Sequence, residues 1–143
     1  MALSLTTIRE AKRWYKLIDH DVQLALIRDN VRFKVIPAGR RSGKTCRFKR
    51  YVVKQAILND GMPYFAAAPT RDQAKRIFWD DLKLLSFSSL HERRPSETEL
   101  TVYLNNGSSI SVLGLDKPER IEGVFWAGGG IDEFGDLKEN AWG

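Results

Sequence analysis

One cysteine, Cys46, is all the thiol chemistry that 143 residues contain. No internal disulfide can form, and an oxidising compartment would add nothing. No stretch approaches the roughly 20 apolar residues that a membrane-spanning helix needs. The opening segment, Met1 to Asp19, mixes basic and apolar side chains without the apolar centre of a secretory signal, so the chain reads as intracellular. Repeats of fixed period, low-complexity runs and a Ser/Gly/Pro linker are all missing, which leaves local periodicity as the guide to structure. Histidine is scarce, and neither His20 nor His91 has the Cys or acidic spacing of a zinc site. What is present is the composition of a folded globular protein, 43% hydrophobic and 29% charged, with one domain as the default at this length. The balance of 23 Lys and Arg against 18 Asp and Glu gives +5. That charge suits a polyanionic partner without proving one, because scattered surface lysines give the same total.

Ile8, Ala11, Trp14, Tyr15 and Ile18 recur at helical spacing with basic residues between them, which predicts a helix over Thr6 to Ile18. A second short helix is predicted over Asp21 to Arg28, so residues 1–31 form a helical segment within a single domain. Arg32 to Pro37 is β-prone and leads into a glycine-containing loop. Arg47 to Leu58 is helical in pattern and is stopped by Asn59-Asp60-Gly61. Pro63 to Ala68 is a small-residue strand, and Thr70 can cap a helix running to about Leu85. Phe87 to Ser96 reads as a loop. A hairpin follows, Glu99 to Leu104 and Ser109 to Leu113, across Asn105-Asn106-Gly107. Val124 to Glu133 is an apolar run ending in two carboxylates. This order predicts an α/β sandwich with a mainly parallel sheet, and Asp136 to Gly143 stops where another helix should be starting.

The segment Ala38-Gly39-Arg40-Arg41-Ser42-Gly43-Lys44-Thr45 fits the Walker A pattern, with Ala38 where the first glycine usually stands. A loop turning from strand into helix must aim backbone N–H groups at phosphates, which needs Gly39 and Gly43 where side chains would obstruct. Lys44 then supplies a point charge between the β- and γ-oxygens, and the Thr45 hydroxyl ligates Mg²⁺. The strand before and the helix after favour nucleotide binding over a basic turn that happens to contain Gly-Lys-Thr. Arg40 and Arg41 are unusual inside such a loop. One of them can read the γ-phosphate in cis, the alternatives being solvation or contact with DNA phosphates.

Such a site also needs a carboxylate at the end of a neighbouring strand for Mg²⁺ and a base to orient water. Asp132 and Glu133 supply the two in sequence, the first for the metal shell and the second for the water. Adjacent acids are common, and a surface turn before Phe134-Gly135 is the plainer reading. Their place after an apolar run, in a chain with a P-loop, argues for the site. Gly128-Gly129-Gly130 departs from the bulky residues usual in a buried strand, marking either close backbone packing or a weakened strand.

From about His20 to Trp142 these residues resemble the N-terminal ATPase region of the terminase large subunit, the DNA-packaging motor of tailed bacteriophages. Arg32 to Thr45 is similar to its arginine-bearing Walker A, and Gln23 sits where the family has an adenine-contacting glutamine. Ala68 to Lys75 resembles the segment after the second strand, Asn106-Gly107-Ser108 with Gly114 the hairpin before Walker B, and Ile131-Asp132-Glu133-Phe134 the Walker B with its catalytic glutamate. The resemblance implies a P-loop NTPase of RecA/ASCE type, a three-layer sandwich ending short of its last strands. It implies Arg40 as the cis arginine and the roles above for Lys44, Thr45, Asp132 and Glu133, with ATP and Mg²⁺ as substrate and cofactor. The implied partners are double-stranded DNA, a portal protein, a small terminase subunit and further copies in a ring on the procapsid, in the host cytoplasm. Many relatives have Arg-Gly where Glu122-Gly123 stands, an arginine that serves as a finger to the neighbouring subunit; here Arg120 lies two residues earlier. The family's coupling motif and nuclease domain would fall beyond Gly143.

Two other functions stay open on sequence alone: a helicase or repair ATPase with a RecA-type core, and a nucleotide-binding fragment without activity of its own. Weaker signals are read structurally first. Arg71, Lys75 and Arg76, and Arg47, Lys49, Arg50 and Lys54, form basic helix faces that are either solvated or DNA-tracking. Phe78, Trp79 and Leu82 are expected in the core, and Cys46 is expected to be a small buried thiol.

Overall fold

The computed structural model describes residues 21–37 and 42–134. The helix expected over Thr6 to Ile18, positions Ala38 to Arg41 of the phosphate loop, and the tail Asp136 to Gly143 lie outside the described residues.

Helix α1 spans Asp21–Arg28, with an acid in its first turn and a base in its last, each at the end of the helix dipole that favours it. Helix α2, Lys44–Leu58, starts directly after Gly43 and buries Val52, Val53 and Ala56 at helical spacing. The Asn59 N–H closes it on the Gln55 carbonyl. Strand β1, Pro63–Ala68, follows. The Thr70 hydroxyl then accepts the Gln73 N–H at 3.2 Å, the expected helix cap. From there α3 (Arg71–Ala74), a π-helical turn (Lys75–Trp79) and α4 (Asp80–Leu85) run on without a break. The hairpin consists of β2, Thr101–Tyr103, and β3, Ser109–Gly114, and the last strand is β4, Gly128–Ile131.

The sheet has the order β2-β3-β1-β4. β1 is parallel to both neighbours, pairing Ala66 with Val112 on one side and with Gly130 on the other, and only β2 runs antiparallel. Side-chain alternation sorts the two faces. Tyr64, Ala66, Ala68, Val102, Ile110 and Val112 pack with Val52 and Val53 of α2 and with Phe78, Trp79 and Leu82 of the following helix. Phe65, Ala67, Leu113 and Ile131 point the other way, against Leu115, Ile121 and Trp126. Among the described residues, then, the long helices share one face, and the third layer of the expected sandwich is represented by the segment 115–127 alone. Phe78, Trp79 and Leu82 are core, as their spacing predicts.

The end of β1 fixes two loops at once: the Ala67 carbonyl accepts the Asp132 N–H, and the Ala68 carbonyl accepts the Leu115 N–H, both at 2.9 Å. The triple glycine of β4 is a close-packing device. A methyl group added at Gly130 would meet the Phe48 ring at 2.5 Å, and one at Gly129 would strike the Phe65 carbonyl. Large side chains would therefore push β4 away from β1 and α2.

Three expectations need correction. Arg32 to Pro37 is not a strand: it pairs with no strand, and Phe33 and Val35 are 81% and 94% exposed. β propensity alone does not hold an extended segment that has no neighbour. The final strand is shorter than Val124 to Glu133, because β1 begins at Pro63 and leaves the residues before Ala127 nothing to pair with. There the chain instead turns Trp126 back, its Nε1 donating to the Ile121 carbonyl at 3.0 Å. Cys46 is exposed. The first turn of α2 directs Thr45 inward, and the buried stripe resumes only at Lys49.

Candidate active site

Gly43 adopts φ 78°, the left-handed region where a side chain is strained, and so turns the loop into the first residue of α2, Lys44. Thr45 follows. Its hydroxyl donates to the Asp132 carboxylate, Oγ1 to Oδ2, at 2.6 Å. Two segments that are 87 residues apart in the chain meet because α2 packs on β1 and β4 lies alongside it.

Asp132 is held from both sides. Oδ2 takes the Thr45 hydroxyl, and Oδ1 accepts the N–H of Glu133 at 2.9 Å. That second bond accompanies a φ of 55° at Glu133. Left-handed backbone costs a bulky side chain on the order of 1–3 kcal/mol and is concentrated at functional sites. Glu133 is exposed at the end of the sheet, beyond the last ladder bond of Asp132.

Gln23 reaches the same place from α1. It is 8% exposed, and its Nε2 donates to the Ser42 carbonyl at 3.1 Å. The Nε2 end of the carboxamide comes close to Gly43, where an added methyl group would sit 2.5 Å from it. Nothing in the spacing of the sequence signals this contact with the loop backbone. Of the expected site residues, the structure brings together Gln23, Ser42, Gly43, Lys44, Thr45, Asp132 and Glu133; Ala38, Gly39, Arg40 and Arg41 lie outside the described residues.

Two hard oxygen donors, Thr45 Oγ1 and Asp132 Oδ2, stand side by side. They fit Mg²⁺, which takes one or two protein ligands and fills its remaining positions with water and phosphate oxygens.

The other basic residues sort differently. Lys49 is buried and paired with Asp81 at 2.6 Å, so it joins α2 to α4 and is not part of a DNA-facing surface. The Arg47 guanidinium is shifted below its ordinary value, first by burial and then by Arg50. Arg71 donates to the Thr98 carbonyl at 2.7 Å. Lys75 and Arg76 are exposed. Arg120 lines an open cleft of about 420 Å³ with Arg71, Thr101, Ser111 and Trp126, on the face of the sheet opposite α2. Among the described residues no helix is long and apolar enough to cross a membrane.

No protein-family profile and no curated protein sequence matches the chain. Solved structures do. An arginine-to-alanine mutant of the Thermus phage P74-26 large terminase ATPase domain superposes with a TM-score of 0.71 at 22% identity, over 87% of this chain and 57% of that one. A second structure of the same domain gives 0.66 at 22% identity, over 80% and 53%. The chain thus spans just over half the length of the structures it matches. At that identity the likeness lies in the arrangement of elements, and the fold is that of a phage large terminase ATPase domain.

Proposed function

We propose that this chain is the ATP-hydrolysing motor region of a phage terminase large subunit, which drives double-stranded DNA into a procapsid. The observation that carries the reading is the 2.6 Å contact between Thr45 and Asp132. It joins the helix after a phosphate-binding loop to the carboxylate after a neighbouring strand, the arrangement that phosphoryl transfer to water requires. The fold shared with the Thermus phage domain supports it.

Each residue then has a task. Backbone N–H groups from Gly39 to Lys44 cradle the phosphates, and the Lys44 ammonium balances charge between the β- and γ-oxygens. Thr45 and Asp132 would hold Mg²⁺, which would supply neutralisation of the negative charge that develops in phosphoryl transfer. Glu133, aimed by its left-handed backbone and by the Asp132 carboxylate, orients and deprotonates the attacking water. Arg40 reads the γ-phosphate in cis. Arg120 is the candidate for a finger toward a neighbouring copy in the ring. Portal protein and small subunit are the remaining partners, and the host cytoplasm is the place of action.

The test is a Glu133→Ala variant of the complete protein. It binds ATP normally and hydrolyses it about 10²- to 10⁴-fold more slowly; full turnover would sink the role of Glu133. The motor reading is tested by adding procapsids. DNA becomes resistant to nuclease only with ATP, whereas unwinding of a forked duplex without procapsids would favour a helicase instead.

A further inference from the structure

Gln23 has a position that contact with a nucleotide base does not explain. Its side chain is buried, and the carboxamide donates through Nε2 to the Ser42 carbonyl at 3.1 Å. A carbonyl oxygen only accepts, so the chemistry fixes which end of the amide faces the loop. The Ser42–Gly43 peptide is planar and trans, and its C=O and N–H therefore point in opposite directions. Drawing the Ser42 carbonyl toward α1 turns the Gly43 N–H to the far side of the loop. Gly43 itself leaves no slack, since a methyl group there would meet the amide at 2.5 Å.

We propose that Gln23 is a positioning residue for phosphate recognition: by holding the Ser42 carbonyl it aims the Gly43 N–H into the phosphate cradle. Gln23 acts on the polyphosphate through the loop backbone, whatever base is attached. The proposal rests on the nucleotide-binding reading of the site. It gives α1 a purpose in the fold, as the arm that delivers one amide to one peptide bond.

The experiment titrates wild-type protein and two variants with MgATP and with inorganic tripolyphosphate, which has no base. Gln23→Met keeps the length and bulk of the side chain and removes the donor. It weakens both ligands by a similar factor, about five- to tenfold, the equivalent of one lost hydrogen bond. Gln23→Glu also lacks the donor and adds a negative charge beside the loop, so it weakens both further. A loss confined to MgATP, with tripolyphosphate unaffected, would assign Gln23 to the base alone and overturn the proposal. Should either variant fail to fold, the wild-type protein still decides. The ¹H–¹⁵N signals of the Gln23 carboxamide and of the Gly43 amide both shift when tripolyphosphate is added, and a fixed Gln23 signal would overturn the proposal. Wild-type protein that binds neither ligand refutes the nucleotide site itself, whereas equal binding by wild type and variants refutes only the role of Gln23.

Discussion

The three glycines of β4 make a graded test of the packing around the carboxylate end of the sheet. At Gly128 an added methyl group would meet only the Tyr64 ring, at 3.3 Å, and a ring edge can yield a few tenths of an ångström. Replacing glycine in a strand also recovers about 0.5–1 kcal/mol of chain entropy. Gly128→Ala is therefore neutral or slightly stabilising. At Gly130 the methyl would meet the Phe48 ring at 2.5 Å, and that ring is pinned edge-on against Phe78 with centroids 5.7 Å apart. Overpacking of this kind costs about 1–3 kcal/mol, which the entropy gain reduces to a net loss of about 1 kcal/mol. At Gly129 the obstacle is the Phe65 carbonyl, which is backbone in the central strand and cannot rotate away. β4 must separate from β1, for a net loss of about 2 kcal/mol or more. For a chain of this size, melting temperatures fall by about 3 °C per kcal/mol. Thermal unfolding followed by circular dichroism should thus place Gly130→Ala about 3 °C and Gly129→Ala about 6 °C below wild type. Since β4 leads directly into Asp132, Gly129→Ala should also weaken MgATP binding more than Gly130→Ala does. A Gly129→Ala protein that melts with the wild type, or a Gly128→Ala protein that is the least stable of the three, would refute the packing argument.

Other outcomes follow from single contacts. Thr45→Val removes the hydroxyl that donates to Asp132 and that is assigned to Mg²⁺; even a group that only orients a metal ligand is worth about 10- to 100-fold in metal affinity, so MgATP affinity should fall by at least that much by calorimetry, with the fold retained. Asp81→Ala leaves the buried Lys49 ammonium without the Asp81 carboxylate, and denaturant unfolding should show a loss of about 1–2 kcal/mol, less than for a pair buried on both sides because Asp81 is half exposed. The double variant Lys49→Met with Asp81→Ala should recover most of that loss. Glu97 accepts hydrogen bonds from Lys83 at 2.9 Å and Trp79 at 2.6 Å, and these, Lys83 first, hold its carboxyl below the ordinary value of 4.5. A depressed carboxylate stabilises the fold above its unfolded pKa and loses that contribution as pH falls through the folded one. Glu97→Gln should therefore lower the melting temperature at pH 7 and make no difference near pH 2; an equal effect at both would show that charge is not involved.

How much could be read from the residues depended on whether the determining contact was local. Thr70 as a cap, Asn105-Asn106-Gly107 as a turn and Pro63–Ala68 as a strand are set by neighbouring side chains, and they stand where expected. Arg32 to Pro37 failed because a strand is defined by its partner, and β4 contracted to four residues for the same reason. The π-helical turn at Lys75–Trp79 has no glycine or proline to announce it. At the site, the motifs named the chemistry of Thr45 and Asp132 separately; their contact across the sheet is a property of the strand order. The left-handed Glu133 is backbone geometry, and the hold of Gln23 on Ser42 is a long-range contact of a side chain with a loop carbonyl; no local residue pattern encodes either.

The two carbonyls that end β1 have a kinematic consequence. Ala67 holds the segment bearing Asp132 and Ala68 holds the segment leading to Arg120, so one rigid rod sets the height of both. β1 is also laddered to β3 on one side and to β4 on the other, so the rod cannot slip by a residue without breaking both ladders and turning its core side chains to the opposite face. The two segments are thus pinned to a common level, and moving either one means bending its own loop beyond the sheet.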